Sequence, residues 1–480
     1  MNASIVPGAR PGPGDLSQLA AGGQPGPGSR GPIGRRFVAA LDRAPGWAMP
    51  AGLFAVALAV YLLLRPLGEP LYRHFVLQAD AWLHGRAAIL YPLWQGPAAN
   101  GWYQDVMPLP GHPGLGLIPY PPLPAIVMLP FVAIFGLGAS QAIVGGVLGA
   151  VNVVLAWRMT LRLSEDRRVA LATTIFFAFG TAAWYASMVG STWYFAHVVA
   201  LCMTLLAVNV ALGREGDPAD GLPVRADTAT GTSAPSRAGG LSRADLRMFA
   251  AGLLLGLAGV ARLTVVLGAP FLVLVGSGPM WRRVLAVGAG VAMPVACLLA
   301  YNLATTGALF HPAYAYAASI EFRPIPELYH ADWGLIDPRY IPQNLALVLG
   351  LPPDIRPDCL ASGVSLSCPL IAPDPLGMSL LLVSPAWLLA IPWAWRNRSR
   401  SVVRGAVLAI AVVGLANLAH FSQGYVQFGY RFSNDWAPFA LVLVTLAIAR
   451  RGVDRLVLAL IGVAIAVNLW GVIWGIISGW

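Results

Sequence analysis

The feature that most constrains this chain is a succession of apolar runs, 14 to 22 residues long, separated by short segments that carry arginine. A helix needs about 20 residues to cross a bilayer's hydrocarbon core, so runs of this length predict membrane spans. Eleven are distinguishable: 49–66, 140–161, 169–187, 192–212, 248–261, 264–277, 283–303, 378–395, 404–422, 436–450 and 456–477. Composition supports the same fold class. Hydrophobic residues make up 57% of the 480 and charged residues 11%, too few charges to cover a soluble domain of this size. The expected fold is an all-α polytopic membrane protein with about eleven transmembrane helices and interfacial helices on its outer face.

All 31 basic residues other than histidine are arginine. The net charge of +10 comes with no Lys/Arg-rich block, so nucleic acid is not an expected partner. Arginines accumulate in cytoplasmic loops. With the N-terminus inside, 23 of the 31 fall in the tail, the inner loops or the inner helix ends, among them Arg35, Arg36, Arg158, Arg162, Arg282, Arg283, Arg396, Arg450 and Arg451. This orientation belongs to a multi-pass inner-membrane protein with its C-terminus outside. The apolar segment 120–136 would invert the later loops if it crossed. It is short and proline-rich, and is expected to lie on the outer surface as a helix.

Residues 1–47, rich in proline and glycine, are expected to form a disordered cytoplasmic tail, followed by a transmembrane domain over 48–480. Within that domain 213–247 reads as a flexible inner linker, and 67–139 and 304–377 as outer loops. Cys202 and Cys297 sit in apolar spans as packing residues. Cys359 and Cys368 lie in the second outer loop, where an oxidising compartment permits a disulfide.

The outer segments, with 423–435, hold 11 of the 21 acidic residues, so any chemistry belongs on that face. Pro70 is a favoured first helical residue and Gly85 a natural stop. On the helix they would bound, Glu69, Arg73, Asp80 and His84 fall on one side, opposite Leu71, Phe75 and Trp82. That stripe is either an acid–base site or the solvated face of an interfacial helix. Arg262 lies in the long apolar run 251–275, at the outer turn between two short spans; a resident anion, a carboxylate or the interface would offset its burial. In 428–439, Arg431 and Asp435 stand four residues apart, able to bind a headgroup or each other. The loop 304–377 interleaves Tyr314, Tyr316, Tyr329, Trp333 and Tyr340 with Glu321, Asp332 and Asp337, a pattern suited to sugar rings and hydroxyls. An outer DxD pair, HExxH, Walker loop and GxSxG are all missing from the sequence.

The order of these elements resembles the GT-C glycosyltransferases of the protein O-mannosyltransferase and lipid A aminoarabinose transferase type. The elements are a first span, an outer helix at 74–86 (HFVLQADAWLHGR) and the aromatic-Pro-Pro element at Tyr120 with its surface helix. GLLLGLAGVAR at 252–262, YNLATTGALFHP at 301–312 and FGYRF at 428–432 follow. The resemblance implies a polyprenyl-phosphate sugar donor and a lipid, glycan or protein acceptor. It also implies an acid in the first outer loop as base, Asp80 first and Glu69 second. Arg262 and Arg431 would hold phosphate, with Arg73, His84, Tyr120 and Asp435 lining the substrate. No metal cofactor is required by this chemistry, though it leaves a divalent ion open. The competing classes are a transporter or flippase, expected to show repeats and mid-membrane breaks, and a non-catalytic binder of lipid-linked glycan.

Overall fold

The computed structural model describes residues 45–91, 104–213, 242–316, 330–365 and 368–478. The expected tail and inner linker lie mostly outside the described residues, as do Glu321 and Tyr329. The fold is mainly helical. In chain order come α1 (Ala48–Leu63), α2 (His74–Leu83), α3 (Leu123–Phe135), α4 (Gln141–Leu163), α5 (Arg167–Phe179), α6 (Ala182–Val189) and α7 (Thr192–Leu212). They are followed by α8 (Arg243–Gly259), α9 (Ala269–Val275), α10 (Met280–Thr306) and α11 (Tyr340–Gly350). The last three of the larger helices are α12 (Ser401–Leu418), α13 (Ala437–Arg451) and α14 (Arg455–Ser478).

Helix starts follow capping chemistry. Ser140 accepts the Ile143 N–H ahead of α4, and Asp166 accepts that of Arg168 ahead of α5. Ser242 and Asp245 form a reciprocal capping box. The box starts α8 at Arg243, so the end of the expected 213–247 linker is helix. Between α5 and α6 the Thr181 hydroxyl donates to the Phe177 carbonyl and accepts from the Ala183 N–H. The pair bends there by 51°.

Among the described residues, five helices qualify as membrane spans by length and composition, and the bent α5–α6 pair raises that to six. The other five of the eleven expected spans fall on helices of 17 residues or fewer or on broken segments. The helix α13 at 436–450 has 15 residues, about 23 Å of rise against a core of about 30 Å. The segment 378–395 is broken into short pieces at Ser384 and Leu389. Helix α7 sits at the centre, 83% of its span buried, whereas only 22% of the span in α10 is covered. A largely uncovered apolar helix suits a lipid-facing position. The α8–α10 contact is set by small residues: a Cβ at Gly252 would lie 2.4 Å from the Val287 carbonyl oxygen.

Helix α3 forms where a surface helix was expected, its 13 residues spanning about 20 Å. Ile126, Phe131, Ile134 and Phe135 stay exposed on one side. Before it, β1 (Ile89–Leu90), β2 (Met107–Pro108) and β3 (Leu115–Leu117) make a small antiparallel sheet with β3 in the middle. In the loop 304–377, β4 (Asp354–Ile355) pairs with β5 (Ile371–Ala372). The Cys359–Cys368 disulfide closes that hairpin, with Cα atoms 5.3 Å apart.

Candidate functional site

The candidate site is built on the first turn of α7. Helix α2 starts at His74 rather than Pro70 because Thr192 fixes the chain there. The Thr192 N–H donates to the Tyr72 carbonyl at 3.0 Å, and its hydroxyl accepts the His74 N–H at 2.9 Å. The His74 ring is 2.8 Å from the same hydroxyl through Nδ1 and 2.7 Å from the Gln104 carbonyl through Nε2. Burial lowers the His74 pKa to about 4, against smaller opposing effects from Asp105 and Gln104, so the ring is neutral. A carbonyl only accepts, so Nε2 carries the hydrogen and Nδ1 faces the threonine hydroxyl.

These bonds place Asp105, the residue after Gln104, in the left-handed region at φ +60°. Asp tolerates that conformation better than most residues, and such outliers concentrate at functional sites. Its carboxylate is buried and accepts from the Tyr120 hydroxyl and, at 2.9 Å, from the Trp193 indole.

A second carboxylate, Asp435, ends the 3₁₀ turn Arg431–Asp435 and is fully buried. It accepts from Arg262 Nε at 3.3 Å and Nη2 at 2.9 Å, and from Thr264 at 3.2 Å. Asn417 donates at 3.1 Å, and His197 Nδ1 lies at 2.9 Å. Burial pushes the Asp435 pKa up, but Arg262 and His197 outweigh it and hold the carboxyl below the usual range. The cluster ties α7, the turn after α8, α12 and the 3₁₀ turn to one group.

Arg431 is the member that no carboxylate neutralises among the described residues. It is 8% exposed, and its Nε has no hydrogen-bond partner among those residues. Its guanidinium instead lies over the rings of Tyr194 (5.4 Å) and Phe432 (5.5 Å), and Gly424 backs it so closely that a Cβ there would meet Cζ at 2.9 Å. Arg262 lies over the same Phe432 ring at 4.7 Å, and the His420 ring meets its edge at 6.3 Å. Tyr314 feels both halves electrostatically: burial raises its pKa to about 12, with Arg262 pulling it down and Asp105 pushing it up. The backbone agrees: Leu123, three residues after Tyr120, donates to the Val260 carbonyl, two before Arg262.

The expected site residues therefore separate. Tyr120, Arg262, Arg431 and Asp435 come together around α7. The one-sided stripe on a helix from Pro70 does not form. Glu69 is exposed ahead of α2, and Arg73 donates to the Leu137 carbonyl at 2.7 Å. The face of α2 that was set opposite this stripe is instead part of a helix buried nearly all round. Asp80 is only partly covered and sits with His84 and Arg86, each 3.5 Å away. Arg431 and Asp435 do not pair with each other. Sequence reasoning did not single out Asp105, His197 or His420. The signal for Asp105 was an acid near the aromatic-Pro-Pro element.

Groups of three or more His, Cys, Asp or Glu able to hold a metal do not occur among the described residues.

No protein-family model matches the chain, and no curated protein matches it. Among solved structures it is similar to the archaeal oligosaccharyltransferase AglB from Archaeoglobus fulgidus, in complex with an inhibitory peptide and a dolichol-phosphate. The identity is 12% and the TM-score 0.41, with 90% of this chain and 56% of that one covered. This chain thus spans little more than half the length of that protein. Similarity of that degree assigns neither family nor chemistry, and function has to be argued from the side chains of a helical membrane protein.

Proposed function

We propose that this protein is a glycosyltransferase that moves a sugar from a polyprenyl-phosphate donor to an acceptor hydroxyl at the outer face of the inner membrane. The observation that carries the reading is on α7. Its consecutive residues Trp193 and Tyr194 contact a buried carboxylate, Asp105, and a buried guanidinium without a carboxylate, Arg431. A buried ion without an opposite charge costs on the order of several kcal/mol, which an anionic ligand offsets. Asp435 already neutralises Arg262, so Arg431 is the guanidinium left to meet the single charge of a phosphodiester.

The chemistry follows from these positions. Asp105 takes the proton of the acceptor hydroxyl, whose oxygen bonds to the anomeric carbon. The bond from that carbon to the phosphate oxygen breaks, and its electron pair stays on the phosphate. The leaving phosphate gains one negative charge, which Arg431, with Arg262 behind it, stabilises. Tyr120 and Trp193 hold the Asp105 carboxylate in place. Tyr314, whose hydroxyl feels both Asp105 and Arg262, is assigned to the sugar. Asp105 replaces Asp80 and Glu69 as the favoured base, because those two lie outside this cluster.

Sugar transfer from radiolabelled polyprenyl-phosphate mannose or arabinose, measured in membranes, tests the proposal. Asp105→Asn is expected to lower transfer about 10²–10⁴-fold, the usual weight of a general base. Asp80→Asn and Glu69→Gln should stay near wild type. Transfer by Asp105→Asn at the wild-type rate removes Asp105 from the mechanism. Failure of the folded wild type with every donor moves the protein to the transporter or binding classes.

A further inference from the structure

Beside the last helix lies a groove of about 480 Å³, within the size range of small-molecule sites, about 300–1,000 Å³. One wall is α14, through Trp470, Ile473, Trp474 and Ile477; the other is the disulfide-closed hairpin, through Val364 and Pro369. Ile355, Leu360, Val364 and Ile371 of that hairpin are all exposed. Four exposed large apolar residues on a short cross-linked hairpin are out of place in water and suit a segment dipping into the outer leaflet. The polar limit is drawn by Arg356, which pairs with Asp354 at 2.9 Å and lies 5.6 Å over the Trp474 ring. Tryptophan and arginine at one level are the usual marks of a membrane interface.

The groove also connects with the anion site. The Trp470 ring meets Phe428 at 6.1 Å, and Gly471 fits so tightly against Phe428 that a Cβ would lie 2.2 Å from it. Phe428 is three residues before Arg431. Tyr185 stands beside both Phe428 (6.1 Å) and Tyr194 (5.4 Å), the residue over which Arg431 lies. The hydrocarbon groove and the guanidinium are thus two sides of one aromatic cluster.

We propose that the groove between α14 and the disulfide hairpin seats the isoprenoid chain of the polyprenyl phosphate. This rests on the reading of Arg431 as the phosphate ligand. The occupant is a chain joined to a phosphate because the groove adjoins a buried guanidinium that lacks a carboxylate. The disulfide has a role here: it holds the hairpin wall against α14 in the face of lipid pressure.

The test uses the full chain in nanodiscs with two photoactivatable probes, a diazirine-bearing polyprenyl phosphate and a diazirine-bearing phosphatidylglycerol, and maps labelled peptides by mass spectrometry. The polyprenyl probe is expected to label 364–369 and 470–477. Filling the groove with Ile473→Trp should cut that labelling about tenfold, and Val364→Trp, on the opposite wall, serves where the first variant fails to fold. Polyprenyl labelling of 424–436 alone would overturn the groove while leaving the phosphate reading intact. Groove labelling by phosphatidylglycerol alone would also overturn it, assigning a structural lipid instead. If the polyprenyl probe labels neither region, the donor reading itself falls.

Discussion

Replacing Asp435 with asparagine tests the electrostatic hub directly. The carboxylate is fully buried and serves Arg262, His197, Thr264 and Asn417 at once. Asparagine keeps the size and one acceptor but turns an amide toward either Arg262 or His197. Breaking a buried ion pair by removing one partner costs about 3–5 kcal/mol. Arg262 is 24% exposed and recovers some hydration, so the lower end, about 3 kcal/mol, is expected. At about 2 cal/mol/K per residue of unfolding entropy, that lowers Tm by only about 3 °C in a chain of this length. Thiol-reactive fluorescence during heating reads the change: Cys202 is buried and reacts on unfolding, and a Cys297→Ser background removes the exposed thiol. Arg262→Met alone should cost as much or more, since it leaves the carboxylate buried and unbalanced. The double variant should cost at least about 1 kcal/mol less than the sum, the mark of coupled partners. Additive losses, or an Asp435→Asn protein as stable as wild type, would refute the claim that charge pairing organises this cluster.

Other outcomes follow from the same geometry. Gly424→Ala should lower phosphate-dependent binding and stability together, by about 1–3 kcal/mol, because its φ of +99° disfavours a side chain and the new Cβ meets Arg431; equilibrium binding of polyprenyl phosphate checks it. His74 and His311 are both held near pKa 4 by burial, so the unfolded chain takes up protons first as pH falls below about 6.5. Stability should therefore drop between about pH 6.5 and 4, measured by thermal unfolding, and His74→Asn should flatten the slope. Asp435, with its lowered pKa, keeps its contribution throughout that window and loses it only below about pH 4. Replacing Cys359 and Cys368 with serine should destabilise the hairpin by about 2–3 kcal/mol, the closure entropy of a short loop; proteolysis within 354–372 is the readout.

The sequence alone determined that this is a helical membrane protein, because apolar run length and charge scarcity answer to the solvent and not to partners in the fold. It also marked Arg262, Arg431 and Asp435, since ionic groups in such runs need a reason to be there. The Cys359–Cys368 pairing was legible because two cysteines nine residues apart share one loop between apolar runs. Tertiary structure decided who meets whom. Asp435 finds Arg262 and His197 at sequence separations of 173 and 238, beyond any local pattern. The turn Arg431–Asp435 is 3₁₀, with three residues per turn, so residues four apart point about 120° from each other and cannot pair as they would on an α-helix. Asp105 lies in an irregular segment where no periodicity applies, and its role depends on Tyr120 and Trp193, 15 and 88 residues away. The start of α2 was misplaced for the same reason: Pro70 permits a helix, but Thr192, more than a hundred residues later, fixes its first turn at His74.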